Sequence, residues 1–210
     1  LDFCRNLWYN DTYLLYWIIY MNIFYLDNDP KVAAEMHCDK HVVKMLVEYA
    51  QILSTAHRMV DGEKYIGKSK LGRKVTRYRL PDNLENIVYK ACHFNHPSTV
   101  WARTSSQHYQ WLFNLWCELA REYRHRYGNQ KGKDHSSWTL LSDILKHTPK
   151  NLEDKGFKEP PQAMKKFPEC MVEGDSIKAY KNYYIVAKKE FAKWTNRNIP
   201  DWYATVSYTH

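Results

Sequence analysis

The chain is poor in the residues that mark metal ribbons, disulfide scaffolds and nucleotide-binding loops. Its 210 residues hold five cysteines, Cys4, Cys38, Cys92, Cys117 and Cys170, scattered and odd in number, with no CxxC pair. That pattern argues against a zinc ribbon and a disulfide framework and suits a reducing cytoplasm. There is no P-loop, dinucleotide glycine fingerprint, nucleophile elbow or zinc finger, so ATP use and hydride chemistry find no motif here. Internal repeats and low-complexity tracts are also missing. Apolar runs are short. Tyr13 to Tyr20, even joined to Met21–Leu26, does not reach the ~20 residues that span a bilayer, and it lacks the small-residue cleavage site of a signal peptide. The expectation is a cytoplasmic protein with no membrane contact, no cofactor, no metal and no obligate protein partner.

Acids are the other shortage. Lys and Arg number 31 against 23 Asp and Glu, giving a formal charge of +8 and a pI near 9.1. Such a balance points to an anionic partner, nucleic acid first and DNA in particular. The chain is rich in aromatics, with 17 Tyr and 8 Trp; these fill cores and also stack on unpaired bases. The length suits one domain with a substantial core. It begins with Leu1, and Met21 opens a strand pattern, Asn22-Ile23-Phe24-Tyr25-Leu26. Residues 1–20 are therefore expected to be upstream read-through or an N-terminal extension, 21–203 one helical domain, and 204–210 a tail.

The expected fold is mainly α, a single-domain helical bundle with one short N-terminal strand or hairpin. Asp29-Pro30 is a helix start, the acid as N-cap and the proline at the first helical position. One helix, or two separated near Cys38-Asp39, then runs to Val60 and stops at Asp61-Gly62. Residues 63–82 carry Lys64, Lys68, Lys70, Arg73, Lys74, Arg77 and Arg79 against Glu63 and, at the end, Asp82. They predict a basic loop, with a strand or hairpin over Val75–Leu80, that is either solvated or an arm on phosphates. A long helix from Ser105 should end at Gly128, a shorter one should span Ser136–Lys146, and 148–173 should be irregular. A last helix is predicted over Asp175–Arg197, its apolar seam made by Ile177, Tyr180, Tyr184, Ala187, Phe191 and Trp194.

The stretch from Met36 to Glu48 concentrates the chemistry. In a helix, His37, His41, Lys44 and Glu48 fall on one face at i, i+4, i+7 and i+11. The plain reading is a polar stripe on an amphipathic helix, with Lys44 and Glu48 as an i, i+4 ion pair. The chemical reading makes His37, Asp39, His41, Lys44 and Glu48 catalytic. A carboxylate stabilises an oxocarbenium-like sugar or activates water, an amine forms a Schiff base, and a histidine moves the proton. Lys40, Lys68, Lys70, Arg73, Lys74, Arg77, Arg79, Arg103, Arg124 and Arg126 are the candidate nucleic-acid contacts. Arg124 and Arg126 equally suit a helix C-terminus. Trp101 and Trp111 are candidates to stack on a base taken out of the duplex. Two other readings stand beside glycosidic-bond cleavage: non-catalytic DNA or RNA binding, and metal-dependent hydrolysis with His37, Asp39, His41 and His57 or His96 as ligands. The last lacks an HExxH spacing, and Asp39 lies across a helix from His37.

Several segments carry a resemblance over nearly all of 21–203. They are Met21-Asn22-Ile23-Phe24, Asp29-Pro30, the run His37 to Met45, Ala50-Gln51, His96-Pro97, Trp101-Ala102-Arg103, Glu122-Tyr123 with Arg126-Tyr127-Gly128, Pro161-Gln162-Ala163-Met164 and Pro200-Asp201-Trp202. In them the chain resembles a family of small proteins of tailed, T4-like and marine phages, which implies a host-cell cytoplasmic location. In Ala34-Glu35-Met36-His37 and Tyr109 to Gly128 it is more distantly similar to the pyrimidine dimer DNA glycosylases of the endonuclease V type. That similarity implies base-excision chemistry on damaged or flipped DNA. Two departures stand. Those enzymes use their own N-terminal amine, which residues 1–20 would cover unless Met21 is the start. Their catalytic glutamate aligns near Val43-Lys44, so Glu48 would act one turn later.

Overall fold

The computed structural model describes residues 21–69, 71–132 and 134–207. The expectations for residues 1–20 and for Lys70 lie outside them. The described residues form eight α-helices, one 3₁₀ turn and a two-stranded antiparallel hairpin, so the fold is mainly α.

Asp29 caps α1 (Pro30–Met36) by accepting the Lys31 N–H at 2.8 Å. The helix breaks at His37 and Cys38, which take extended backbone, and α2 begins at Asp39 and runs to Asp61. Gly62 follows because only a glycine fits: a Cβ there would lie 2.3 Å from the Arg58 carbonyl oxygen and 2.9 Å from that of Arg79. The chain then turns into β1 (Glu63–Lys68) and β2 (Lys74–Arg79), and a short helix, α3 (Leu84–Ile87), comes next. After α4 (Pro97–Ala102), Ser105 caps α5 (Ser106–Lys131), and α6 spans Ser136–Leu145. Residues between α6 and α7 (Ser176–Ala187) are irregular apart from a 3₁₀ turn at Pro168–Cys170, and α8 covers Asp201–Ser207.

The core is the apolar side of α2 laid on that of α5. Trp116 of α5 is fully buried and donates its indole N–H to the Leu46 carbonyl of α2 at 2.8 Å. Tyr109 sends its hydroxyl proton to the Leu145 carbonyl at 2.9 Å and also meets His57 Nε2 at 2.9 Å, which ties α2, α5 and α6 together. Emptying such an aromatic site costs about 3–5 kcal/mol. Arg58 sits wholly buried near the end of α2. It donates to the carbonyls of Tyr78, Glu85, Val88 and Tyr89 and to the Glu85 carboxylate. These bonds fasten the hairpin and the 85–89 segment to the bundle.

Four boundaries differ from expectation. Residues 22–26 are buried but carry no ladder, because no described strand lies beside them; Phe24 instead donates its N–H to the Tyr49 hydroxyl at 3.0 Å. Helix α5 passes Gly128 and ends at Gly132, whose φ of 58° supplies the left-handed cap that closes a helix. Helix α7 stops at Ala187 rather than Arg197. Beyond it the chain turns, so that Trp194 donates to the Met36 carbonyl at 2.9 Å and Thr195 meets Asp39. Finally, α8 includes residues 204–207, read from sequence as tail.

Candidate functional site

The break between α1 and α2 decides where the Met36–Glu48 groups point. His37 is not on a helix face. It caps α1, fully buried, with Nδ1 2.7 Å from the Ala33 carbonyl oxygen and Nε2 3.3 Å from the Tyr49 hydroxyl. His41, in the first turn of α2, stacks on Phe24 at 4.2 Å between centroids, and its Nδ1 lies 2.5 Å from the Tyr184 hydroxyl. Burial keeps both rings neutral. It lowers His37 to about 4, and His41 falls well below its ordinary value of 6.5, helped by the neighbouring charges of Lys188, Lys44 and Lys40. These two histidines hold the fold at this point.

Asp39 turns the other way. Its Oδ1 accepts from Arg126 Nη1 at 3.0 Å and from the Thr195 N–H at 2.9 Å, while Oδ2 accepts from the Thr195 hydroxyl at 2.7 Å. The His37–Asp39–His41 set thus has no common point of aim. Among the described residues no three His, Cys, Asp or Glu side chains form a metal-binding group.

Lys44 and Glu48 do come together. Lys44 Nζ lies 2.8 Å from Glu48 Oε1, and both side chains are largely covered. Glu48 Oε2 is buried and has no hydrogen-bond partner among the described residues. Burial raises the Glu48 carboxyl above its ordinary 4.5, against the opposing pull of Lys44 and Lys188. Lys188 is a group that sequence reasoning missed. It lies just past α7, donates to the Tyr183 hydroxyl at 3.1 Å and sits 4.4 Å over the Tyr183 ring. Burial and the charge of Lys44 lower it to about 8. The site is therefore a buried carboxylate with one oxygen unused among the described residues, ion-paired to Lys44 and within electrostatic reach of Lys188. The helical period carries α7 toward Lys188, but nothing in the sequence pairs position 188 with position 48.

The predicted nucleic-acid contacts divide. Lys40 is exposed, 4.7 Å from the Phe191 ring centroid. Lys68, Arg73, Lys74 and Arg79 are exposed on the hairpin and Arg77 is half-buried there. Arg79 stands 4.7 Å over the Tyr65 ring. Arg124 is exposed but forked onto Asp134 at 2.8 and 2.6 Å. Arg103 is half-buried and donates to the Phe94 carbonyl at 2.7 Å. Trp101 is 7% exposed, stacked on His108 and bonded to the Lys158 carbonyl at 2.8 Å. It has no free face for a base. Trp111 donates to the Asn28 carbonyl at 2.8 Å and packs edge-on against Tyr25. Arg126 has a fully covered side chain and spends its donors on Glu122, Asp39 and the carbonyls of Glu35 and His37. It offers nothing to a phosphate. In Arg103, Arg124, Arg126, Trp101 and Trp111 a carbonyl or carboxylate elsewhere in the fold claims the donor, from four positions away for Glu122 to 91 for Glu35.

A separate hollow of about 200 Å³ lies between α1 and α5, lined by Lys31, Glu35, Glu118, Arg121, Glu122, His125 and Arg197. Its charges are mixed and largely paired, as in Arg197 with Glu122 and Arg121 with Glu118. No helix of the described residues is long and apolar enough to cross a membrane. Comparison with family models, curated proteins and solved structures gives no match for this chain.

Proposed function

We propose that this is a phage-type DNA-processing protein that cleaves glycosidic bonds in DNA, with its chemistry at Glu48, Lys44 and Lys188. The observation that carries the reading is the buried Glu48 carboxylate, one oxygen without a partner among the described residues, set beside Lys44 at 2.8 Å. A buried unpaired carboxylate oxygen is costly, and groups with such shifted proton affinities concentrate at reactive sites.

In base release the bond from C1′ to the base nitrogen breaks, its electron pair leaves with the base, and the base takes up a proton. Glu48 stabilises the positive charge left on the sugar. If water attacks, a C1′–O bond forms and the carboxylate accepts the released proton. If a neutral lysine amine attacks, a C1′–N bond forms instead. Sugar-ring opening, with the amine proton passing to the ring oxygen, then leaves the imine that borohydride reduces. Lys188, lowered to about 8, suits that role better than Lys44, which is held by Glu48.

The test is base release from duplexes carrying damaged or modified bases, with borohydride trapping in parallel. Release by the parent protein and its loss in Glu48→Gln, with DNA affinity retained, supports the reading. A protein that binds these duplexes and releases no base favours the second reading, a non-catalytic nucleic-acid-binding protein. The burial of His37 and His41 and the engagement of Asp39 support that alternative, since they remove three proposed catalytic groups from the surface.

A further inference from the structure

The hairpin has two chemically different faces. In its register Glu63 pairs with Arg79, Tyr65 with Arg77 and Gly67 with Val75, and side chains alternate, so these share one face. That face carries the one acid of the two strands, Glu63, opposite Arg79, which also covers Tyr65, so that of its two arginines only Arg77 faces no acid across the ladder. The other face carries Lys64, Ile66 and Lys68 on β1 opposite Tyr78, Thr76 and Lys74 on β2. It has no acid. None of the described residues makes an ion pair with Lys64, Lys68 or Lys74.

Lys68 and Lys74 are direct cross-strand partners at the end of the ladder. Like charges so placed weaken a hairpin, and an external anion would relieve them. Ile66 is 63% exposed on this face, and Leu71, in the turn, is 82% exposed. At the ends of the turn, Ser69 donates its N–H to the Arg73 carbonyl at 2.8 Å, and the Ser69 hydroxyl accepts the Arg73 N–H at 3.1 Å. Gly72 there has a φ of 75°. A two-stranded ribbon is an element that a DNA groove admits, and this one is basic on one face and tipped by an aliphatic side chain of the kind that wedges base steps.

We infer that the hairpin grips double-stranded DNA, with Lys64, Lys68 and Lys74 on the phosphates and Leu71 wedged into a base step. This rests on the reading of the chain as a DNA-processing protein and specifies its substrate as duplex. About 20 Å of helix separates Glu48 from the base of the hairpin, taking ~1.5 Å per residue. The wedge therefore bends and holds the duplex at a distance from Glu48.

The test uses the whole chain and an undamaged duplex with 2-aminopurine at successive steps. The parent protein should raise 2-aminopurine fluorescence at one step. Leu71→Ser should lose at least half of that rise while affinity falls less than tenfold. Lys64→Ala, Lys68→Ala and Lys74→Ala combined should weaken binding more than tenfold and flatten the plot of log affinity against log salt by about 2.7, from ~0.9 per phosphate contact. All four positions lie on the hairpin surface, so circular dichroism should not change and the melting temperature should not fall. An unchanged fluorescence rise in Leu71→Ser overturns the wedge, and an unchanged salt slope in the triple variant overturns the grip. So does preference for phosphatidylserine vesicles over duplex at equal phosphate. A parent protein that binds no DNA removes this inference and the proposed function together. One that binds DNA equally well with an altered hairpin removes only this inference.

Discussion

Asp39 and Arg126 stand 87 positions apart in the chain and meet at 3.0 Å between Oδ1 and Nη1. The contact closes a network in which Arg126 also holds Glu122, and Glu122 in turn accepts from Arg197. It locks the start of α2, the last turns of α5 and the segment after α7 into one unit. Burial alone would push the Glu122 carboxyl up, yet hydrogen bonds from Arg197 and the charge of Arg126 bring it below its ordinary 4.5.

Removing one partner from such a buried set strands the others. Arg126→Ala is expected to cost about 3–5 kcal/mol, read as a lower urea midpoint. DNA affinity per folded molecule should not change, because the guanidinium is covered. A variant of full stability with weakened DNA binding would return Arg126 to the interface and sink the assignment.

Much of this fold was legible in the chain. The 3.6-residue apolar period, Asp29-Pro30 and Asp61-Gly62 mark α1 and α2 nearly to the residue, since capping and close approach are local effects. What periodicity cannot show is which polar groups find partners inside. His37 and His41 look like a solvated stripe until Tyr49 and Tyr184 are brought to them, 12 and 143 positions away. The Asn22–Leu26 segment has strand-forming residues, but a strand exists only where a neighbour supplies the ladder. The Phe191–Trp194 seam continues a helical period, yet Trp194 and Thr195 gain more from bonds to Met36 and Asp39 than from another turn. Of the candidate site, Lys44 and Glu48 could be paired from spacing alone; Lys188 could not.

The two histidines set a limb of acid instability. Each is neutral in the fold and takes a proton when unfolded below about 6.5. Their contribution is therefore complete above that pH and is lost as pH falls, until the folded ring itself protonates, about 4 for His37. Each should add about 1.4 kcal/mol per pH unit across its window. His41→Asn should be less stable at pH 7, by about 1–3 kcal/mol for the bond lost to Tyr184, and should show a shallower slope between pH 6.5 and 5. Parallel melting curves for parent and variant over that interval would contradict the assignment.

Glu48 has the opposite sign. Its folded carboxyl protonates more readily than the unfolded one at 4.5, so it favours the fold in acid and penalises it once pH rises through the raised value. Glu48→Gln should therefore melt above the parent at pH 7 to 8, with the gap narrowing as pH is lowered toward 4.5. A variant less stable than the parent at neutral pH would mean that the pairing with Lys44 outweighs the burial of the charge. In that case the site would be a structural ion pair.

Lys188 offers the sharpest check, because its neighbours act on it in opposite directions. Burial and the positive charge of Lys44 lower it to about 8, while the Glu48 carboxylate pulls it upward. After reductive ¹³C-methylation, the Lys188 signal should titrate near pH 8, well below the 10.5 of an ordinary lysine. Lys44→Met should shift that midpoint upward, and Glu48→Gln should shift it downward. If the lysine acts as nucleophile, borohydride trapping should rise with pH through the same midpoint and vanish in Lys188→Arg, whose guanidinium stays protonated. A midpoint near 10.5 that ignores both neighbours would place Lys188 in open solvent. Trapping that persists in Lys188→Arg would move the covalent step to a different amine.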